Sequence, residues 1–128
     1  MTQEQMIELA RRAVTCKGWR WMPGMRQLVA SNRAPYRVVC DGYAPPEDEF
    51  FVMSECGDPE VLPDLTDPAT MGCLLALVRE AWGTAIIVSY SYDDGLWETM
   101  WEGATCGGWC GRGDTEAAAL VTALESAP

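Results

Sequence analysis

There is no histidine in these 128 residues, and that absence narrows the chemistry more than any residue present. Histidine is the side chain whose ordinary pKa lies nearest neutrality, so most acid–base schemes at physiological pH lose their usual proton carrier. Zinc sites lose their nitrogen ligand for the same reason. No apolar run approaches the roughly 18 residues of a spanning helix, so no membrane segment is expected. The opening residues Met1, Thr2, Gln3, Glu4 and Gln5 are polar and acidic rather than basic and then greasy. No secretory leader is therefore expected, and the chain is placed in the cytoplasm. Polar low-complexity tracts are missing too. With 48% hydrophobic residues, one domain over residues 1–128 with a real core is expected.

Basic side chains are scarce, nine against 19 acidic ones, for a net charge of −10, and their placement is uneven. Residues 1–37 hold seven of them (Arg11, Arg12, Lys17, Arg20, Arg26, Arg33, Arg37) against Glu4 and Glu8. Every charged side chain after residue 37 is acidic apart from Arg79 and Arg112. The chain is electrically bipolar. Cysteine is plentiful, at six, but without an export signal all six are read as free thiols. Cys40 and Cys73, inside apolar stretches, read as small hydrophobes.

Residues 67–83 carry the clearest local signals, and the rest of the chain is expected to pack around them. Asp67 followed by Pro68 suits a helix start, and Gly83 suits a left-handed stop. Met71, Leu74, Leu75, Val78 and Trp82 form one apolar face between them. A first helix is expected over residues 2–15, where Thr2 and Gln5 have the spacing of a capping box and Met6, Leu9, Ala10, Ala13 and Cys16 share a face. A last helix over residues 115–126 is capped by Asp114 and buries Ala117, Leu120, Val121 and Leu124.

Between the first two helices, Trp19 and Trp21 alternate with Arg20, and Pro23-Gly24 offers a type II turn into residues 25–30, a short hairpin. Residues 36–40 and 50–54 read as short strands. Residues 84–92 alternate strictly, and Asp94-Gly95 is a two-residue hairpin turn that sets Tyr92 opposite Trp97 and Tyr90 opposite Thr99. The element order predicts an α+β domain, three helices on an antiparallel sheet of four to five strands.

The run at residues 63–70 (PDLTDPAT), its continuation at 72–82 (GCLLALVREAW) and residues 115–121 (TEAAALV) resemble small proteins of tailed phages and prophages. The group is known as the phage ABA sandwich domain. The resemblance implies a layered α/β/α arrangement and an accessory gene product working in an infected bacterium. It brings no catalytic residues and no cofactor, so none is assigned.

The residues themselves offer few candidates for chemistry. Cys106 and Cys110 are spaced C-x₃-C with no histidine and no second close cysteine pair, so they read as thiols in a Gly-rich loop, and no metal site is assigned. The carboxylate pairs Asp93/Asp94 and Glu98/Glu102 read as solvated turn or strand residues. The segment GGWCGRGD lacks the ending of a phosphate loop, although it sets Arg112 beside a helix start.

Two binding readings remain. In the first, the acidic residues Asp41, Glu47, Asp48, Glu49, Asp58, Glu60 and Asp64 steer the chain onto a host protein with a basic surface, as an anti-defence inhibitor of the anti-CRISPR kind would. In the second, Trp19, Arg20, Trp21, Arg26 and Arg112 form a platform that sequesters a nucleotide. Direct nucleic-acid binding is disfavoured by the net charge of −10. The plainest account of the basic residues is pairing with the acidic body of the same chain, or with a second copy in a homodimer.

Overall fold

The computed structural model describes residues 2–28, 37–39, 50–52, 61–101 and 108–128, and the architecture below is that of these residues. Helix α1 (Gln3–Thr15) begins with the expected capping box. The Gln5 N–H donates to Thr2 Oγ1 at 3.2 Å and the Thr2 N–H to Gln5 Oε1 at 2.8 Å, which satisfies two orphan donors reciprocally. Its buried side is Leu9, Ala10 and Ala13.

The expected Trp19–Trp21 hairpin does not form. Its turn does: Gly24 takes φ 98° and the Met25 N–H donates to Met22 O at 3.1 Å, as a type II turn requires. The residues after it find other partners. Val38 in β1 (Arg37–Val39) accepts from the Gly24 N–H and donates to Met25 O, while Leu28 and Arg26 exchange backbone bonds with Leu62 and Asp64. Strand β1 pairs in parallel with β2 (Phe50–Val52).

Helix α2 (Pro68–Trp82) starts and stops where its signals place it, with Asp67 as N-cap and Gly83 left-handed at φ 67°. Its buried face is turned from the expected stripe. Thr70, Leu74, Leu77 and Val78 are buried, and Met71, Leu75 and Trp82 flank them. Thr70 is in the core because its hydroxyl is fully used: it donates to Asp67 Oδ2 at 3.0 Å and accepts from the Arg26 N–H at 2.8 Å. A saturated hydroxyl can be buried without the usual polar penalty.

Strands β3 (Ile86–Ser91), β4 (Leu96–Trp101) and β5 (Trp109–Gly113) make an antiparallel sheet in the order β3-β4-β5. The chain is thus an α+β fold, but the described antiparallel sheet has three strands rather than four or five, and β1 and β2 form a separate two-stranded sheet. The hairpin register also differs from the expected one. Ser91 faces Leu96 and Tyr90 faces Trp97, leaving Tyr92 to Gly95 as a four-residue loop closed by a 2.8 Å bond from the Gly95 N–H to Ser91 O. Gly95, at φ 68°, supplies the left-handed residue this loop needs. The shift is two residues, one full pleat, so every side chain stays on its expected face.

Helix α3 (Glu116–Glu125) is capped by Thr115, whose hydroxyl accepts from the Ala118 N–H at 3.1 Å, one residue later than the Asp114 expected. It, rather than α2, is the element on which the others meet: it packs on β5, β4, α2 and α1. Besides the expected Ala117, Leu120, Val121 and Leu124, it buries Ala119 and Ala123. Those alanines meet the glycines of β5. A Cβ on Gly111 would lie 2.5 Å from Ala119 O and from Ala123 N, and one on Gly113 would lie 2.6 Å from Ala118 Cβ. Helix and strand touch backbone to backbone. Among the described residues no helix covers the opposite face of the sheet, so the α/β/α layering implied by the resemblance is not what they form.

Two glycine substitutions separate close packing from simple flexibility. Gly111→Ala should lower stability by about 3 kcal/mol, the top of the usual overpacking range, because the helix backbone cannot move aside. Gly72→Ala, in α2 with nothing within 4 Å of the added methyl, should raise it by about 0.5–1 kcal/mol. Urea denaturation of both variants reads the two opposite shifts.

Candidate functional site

The Trp/Arg set does not converge on one platform. Trp19 and Trp21 meet edge to face, centroids 5.6 Å apart at 82°, and both pack against the core, with Trp21 buried. Edge to face, one indole covers a single face of the other, and packing against the core takes up further surface of both. Arg20 turns away to α2, where its Nη1 donates to both carboxylate oxygens of Glu80 at 2.7 and 2.6 Å. The Arg26 backbone N–H is held by Thr70. Arg112 stands apart from all of them on β5 and is engaged there by acids, so it is not the free anion ligand its place before α3 suggested.

Of the acidic set, Asp64 lies among the described residues and works locally, accepting from the Thr66 N–H at 3.0 Å and from its hydroxyl at 2.6 Å. Asp41, Glu47, Asp48, Glu49, Asp58 and Glu60 lie outside the described residues, as do Cys40, Cys56, Cys106 and Glu102. Two features the sequence did not point to carry the exposed chemistry instead.

The first is the helix-free face of the sheet. Register places Ile87, Met100 and Trp109 in a row across three strands, and Ser89, Glu98 and Arg112 in the next. Ile87 is 45% exposed and Trp109 44%. Arg112 Nη2 lies 2.7 Å from Asp94 Oδ2 and 3.2 Å from Glu98 Oε1, and its guanidinium carbon sits 4.3 Å from the centre of the Trp109 ring. Trp109 and Arg112 are three apart in sequence, so strict alternation would put them on opposite faces. The irregularity at Thr99/Met100 restores them to one side. Glu98 is buried, and the guanidinium is what makes a buried carboxylate tolerable there.

The second is a cleft of about 590 Å³ between α1 and the start of α3, lined by Glu4, Glu8, Leu9, Arg12, Asp114 and Ala118 among others. Arg12 is drawn off by Glu125 at the end of α3, and its hydroxyl contact with Thr122 is 3.4 Å. Glu4, Glu8 and Asp114 make no hydrogen bond or ion pair among the described residues, Glu8 acting on Arg12 only through its charge, so the cleft has three carboxylates against one paired cation, over an apolar floor.

Three thiols are described, and burial pushes the pKa of Cys16, Cys73 and Cys110 above the ordinary thiol value. None is an activated nucleophile at neutral pH. Among the described residues no group of three or more Cys, Asp or Glu side chains is placed to hold a metal ion. No described helix is long and apolar enough to cross a membrane.

Two measurements follow from this geometry. Arg112→Met leaves Glu98 buried without its cation and should cost about 1–3 kcal/mol, part of which returns in the Arg112→Met/Glu98→Gln pair. Because the folded chain keeps its thiol protons to higher pH than the unfolded chain, the thiols contribute stability below the ordinary thiol pKa and lose it as pH rises through and past that value. The urea midpoint should therefore fall on the alkaline side, and fall less in a Cys16→Ala/Cys73→Ala/Cys110→Ala variant.

No protein-family model, no curated protein and no solved structure matches this chain, so its function is argued from its own charge and surface.

Proposed function

We propose that this chain is a non-enzymatic accessory protein of a tailed phage that binds a host protein with a basic surface in the bacterial cytoplasm and modulates it, as an anti-CRISPR-like inhibitor does. The observation that carries the reading is the charge arrangement. Beyond residue 37 the sequence holds 17 acidic residues against Arg79 and Arg112. Among the basic N-terminal residues, Arg12 and Arg20 are committed to Glu125 and Glu80. Glu4, Glu8 and Asp114 add a negative cleft suited to a lysine or arginine side chain. A surface of one sign raises association rates with a partner of the other sign and repels competing acidic ones. The phage setting rests on the resemblance of residues 63–82 and 115–121.

Nucleotide sequestration by Trp19, Arg20, Trp21, Arg26 and Arg112 is the competing reading. It requires at least one indole face to open toward solvent.

Affinity capture from bacterial lysate separates them when wild type is compared with Glu47→Lys/Asp48→Lys/Glu49→Lys and with Glu4→Lys/Glu8→Lys. A basic protein held by wild type, released by modest salt and lost from the charge-reversed chains is the expected result. Equal retention by all three chains would remove the acidic surface from the mechanism. Saturable quenching of tryptophan fluorescence by a panel of nucleotides, lost in Arg20→Ala/Arg26→Ala, would move the function to ligand capture.

A further inference from the structure

The outer edge of β3 is the longest backbone surface that no described strand pairs with, and two hydrogen bonds show which of its groups point outward. Ser91 O accepts from the Gly95 N–H within the hairpin loop, so the Ser91 backbone groups face β4. Alternation along the strand turns Ile87 and Ser89 the same way and directs Ile86, Val88 and Tyr90 to the free edge. Ile86 O agrees: it accepts from Arg79 Nε at 3.2 Å and Nη2 at 3.0 Å, reaching in from α2. Among the described residues, the N–H and C=O of Val88 and Tyr90 are left as four unpaired groups along the edge.

Edge strands in proteins that stay monomeric are commonly guarded by lysine, proline, a bulge or extreme shortness. Strand β3, IIVSYS, is six residues long and has no charge, no proline and no bulge against β4. Ile87 and Tyr90, which flank the edge on opposite faces, are 45% and 41% exposed.

We propose that β3 pairs antiparallel with β3 of a second copy, about a two-fold axis at Val88, to form a six-stranded sheet across two chains. The outward parity of Ile86, Val88 and Tyr90 permits this register, with Arg79 releasing Ile86 O to the Tyr90 N–H of the second copy: Val88 opposite itself, Ile86 opposite Tyr90 of the second copy, and Ile87 opposite Ser89 of the second copy. Side chains then keep their faces, and the rows of Ile87, Met100 and Trp109 from the two chains join on one surface. Against the overall repulsion of two chains at −10 each, the charges at the pairing edge are locally complementary. The two-fold carries the hairpin tip of one copy toward the Ile86 end of the other, where Arg79 has no ion pair among the described residues. Asp93 at that tip likewise has no described partner, so each copy offers the other one cation and one anion. The pairing contributes new backbone bonds where a monomer leaves them to water.

Sedimentation velocity across a wide concentration range, together with amide exchange at single residues, tests this. Wild type should shift from monomer to dimer with concentration. The Val88 and Tyr90 amides should exchange rapidly in dilute solution and slow by the same proportion as dimer forms, while Ile87 and Ser89 stay protected throughout. Tyr90→Pro removes an outward N–H that no intramolecular bond uses, and Ile87→Lys adds an edge charge at an exposed position. Both should keep the wild-type circular dichroism and remain monomeric. A wild type that stays monomeric at all concentrations overturns the proposal. So does a dimer that survives in both variants, or protection of Val88 and Tyr90 that does not change with concentration.

Discussion

The backbone contact between β5 and α3 sets the rest of the molecule. Gly111 and Gly113 have no side chains, and Ala119 and Ala123 have almost none, so the helix lies directly against the strand. Once α3 is seated this low, its remaining faces are free to meet α1 and α2. Leu120, Val121 and Leu124 then bury in one continuous core with Leu9, Leu74, Leu77 and Ile86. Trp82 ties the arrangement from the other side, donating its indole N–H to Ala123 O at 2.8 Å and packing its ring 6.3 Å from that of Trp101. A larger residue at position 111 would lift the helix and loosen every interface that depends on its height.

Charge follows a second order imposed on that core. Two of the seven basic residues of the N-terminal third are paired with acids of the later chain. Arg12 is fastened to Glu125 and Arg20 to Glu80, so part of the positive charge is neutralised within the chain. Each pair is exposed and weakly stabilising by itself. Each pair cancels one charge of either sign, so the net charge of −10 stays with the remaining carboxylates, Glu4 and Asp114 among them. On the helix-free face of the sheet, Arg112 serves three groups at once, Asp94, Glu98 and the Trp109 ring, and so joins the hairpin loop to the edge strand.

How much of this was legible in the sequence depends on the range of the interaction. Short-range signals read correctly: the Thr2/Gln5 capping box, Asp67-Pro68 and Gly83 around α2, and the type II turn at Pro23-Gly24 all depend on neighbours within a few residues. The hairpin Ile86–Trp101 was legible in its faces and not in its register, since a loop of two or four residues gives the same alternation. The candidate site was less legible. Trp19-Arg20-Trp21 reads as a platform by composition, but whether an indole shows its face or its edge is settled by what packs on it.

What the sequence alone determined is therefore the set of helices, the caps of α1 and α2, the α+β class and the acidic balance, because these follow from local backbone chemistry and from composition. Tertiary structure decided which helix is central, which face of α2 turns inward, and which residues share the open face of the sheet. The physical reason is close packing. Thr70 is core because Asp67 and the Arg26 backbone, 44 residues before it, saturate its hydroxyl, and α3 is central because α1 and α2, both distant in the chain, pack on it as well as β4 and β5. Contacts of that kind join residues far apart in the chain, and no local pattern records them.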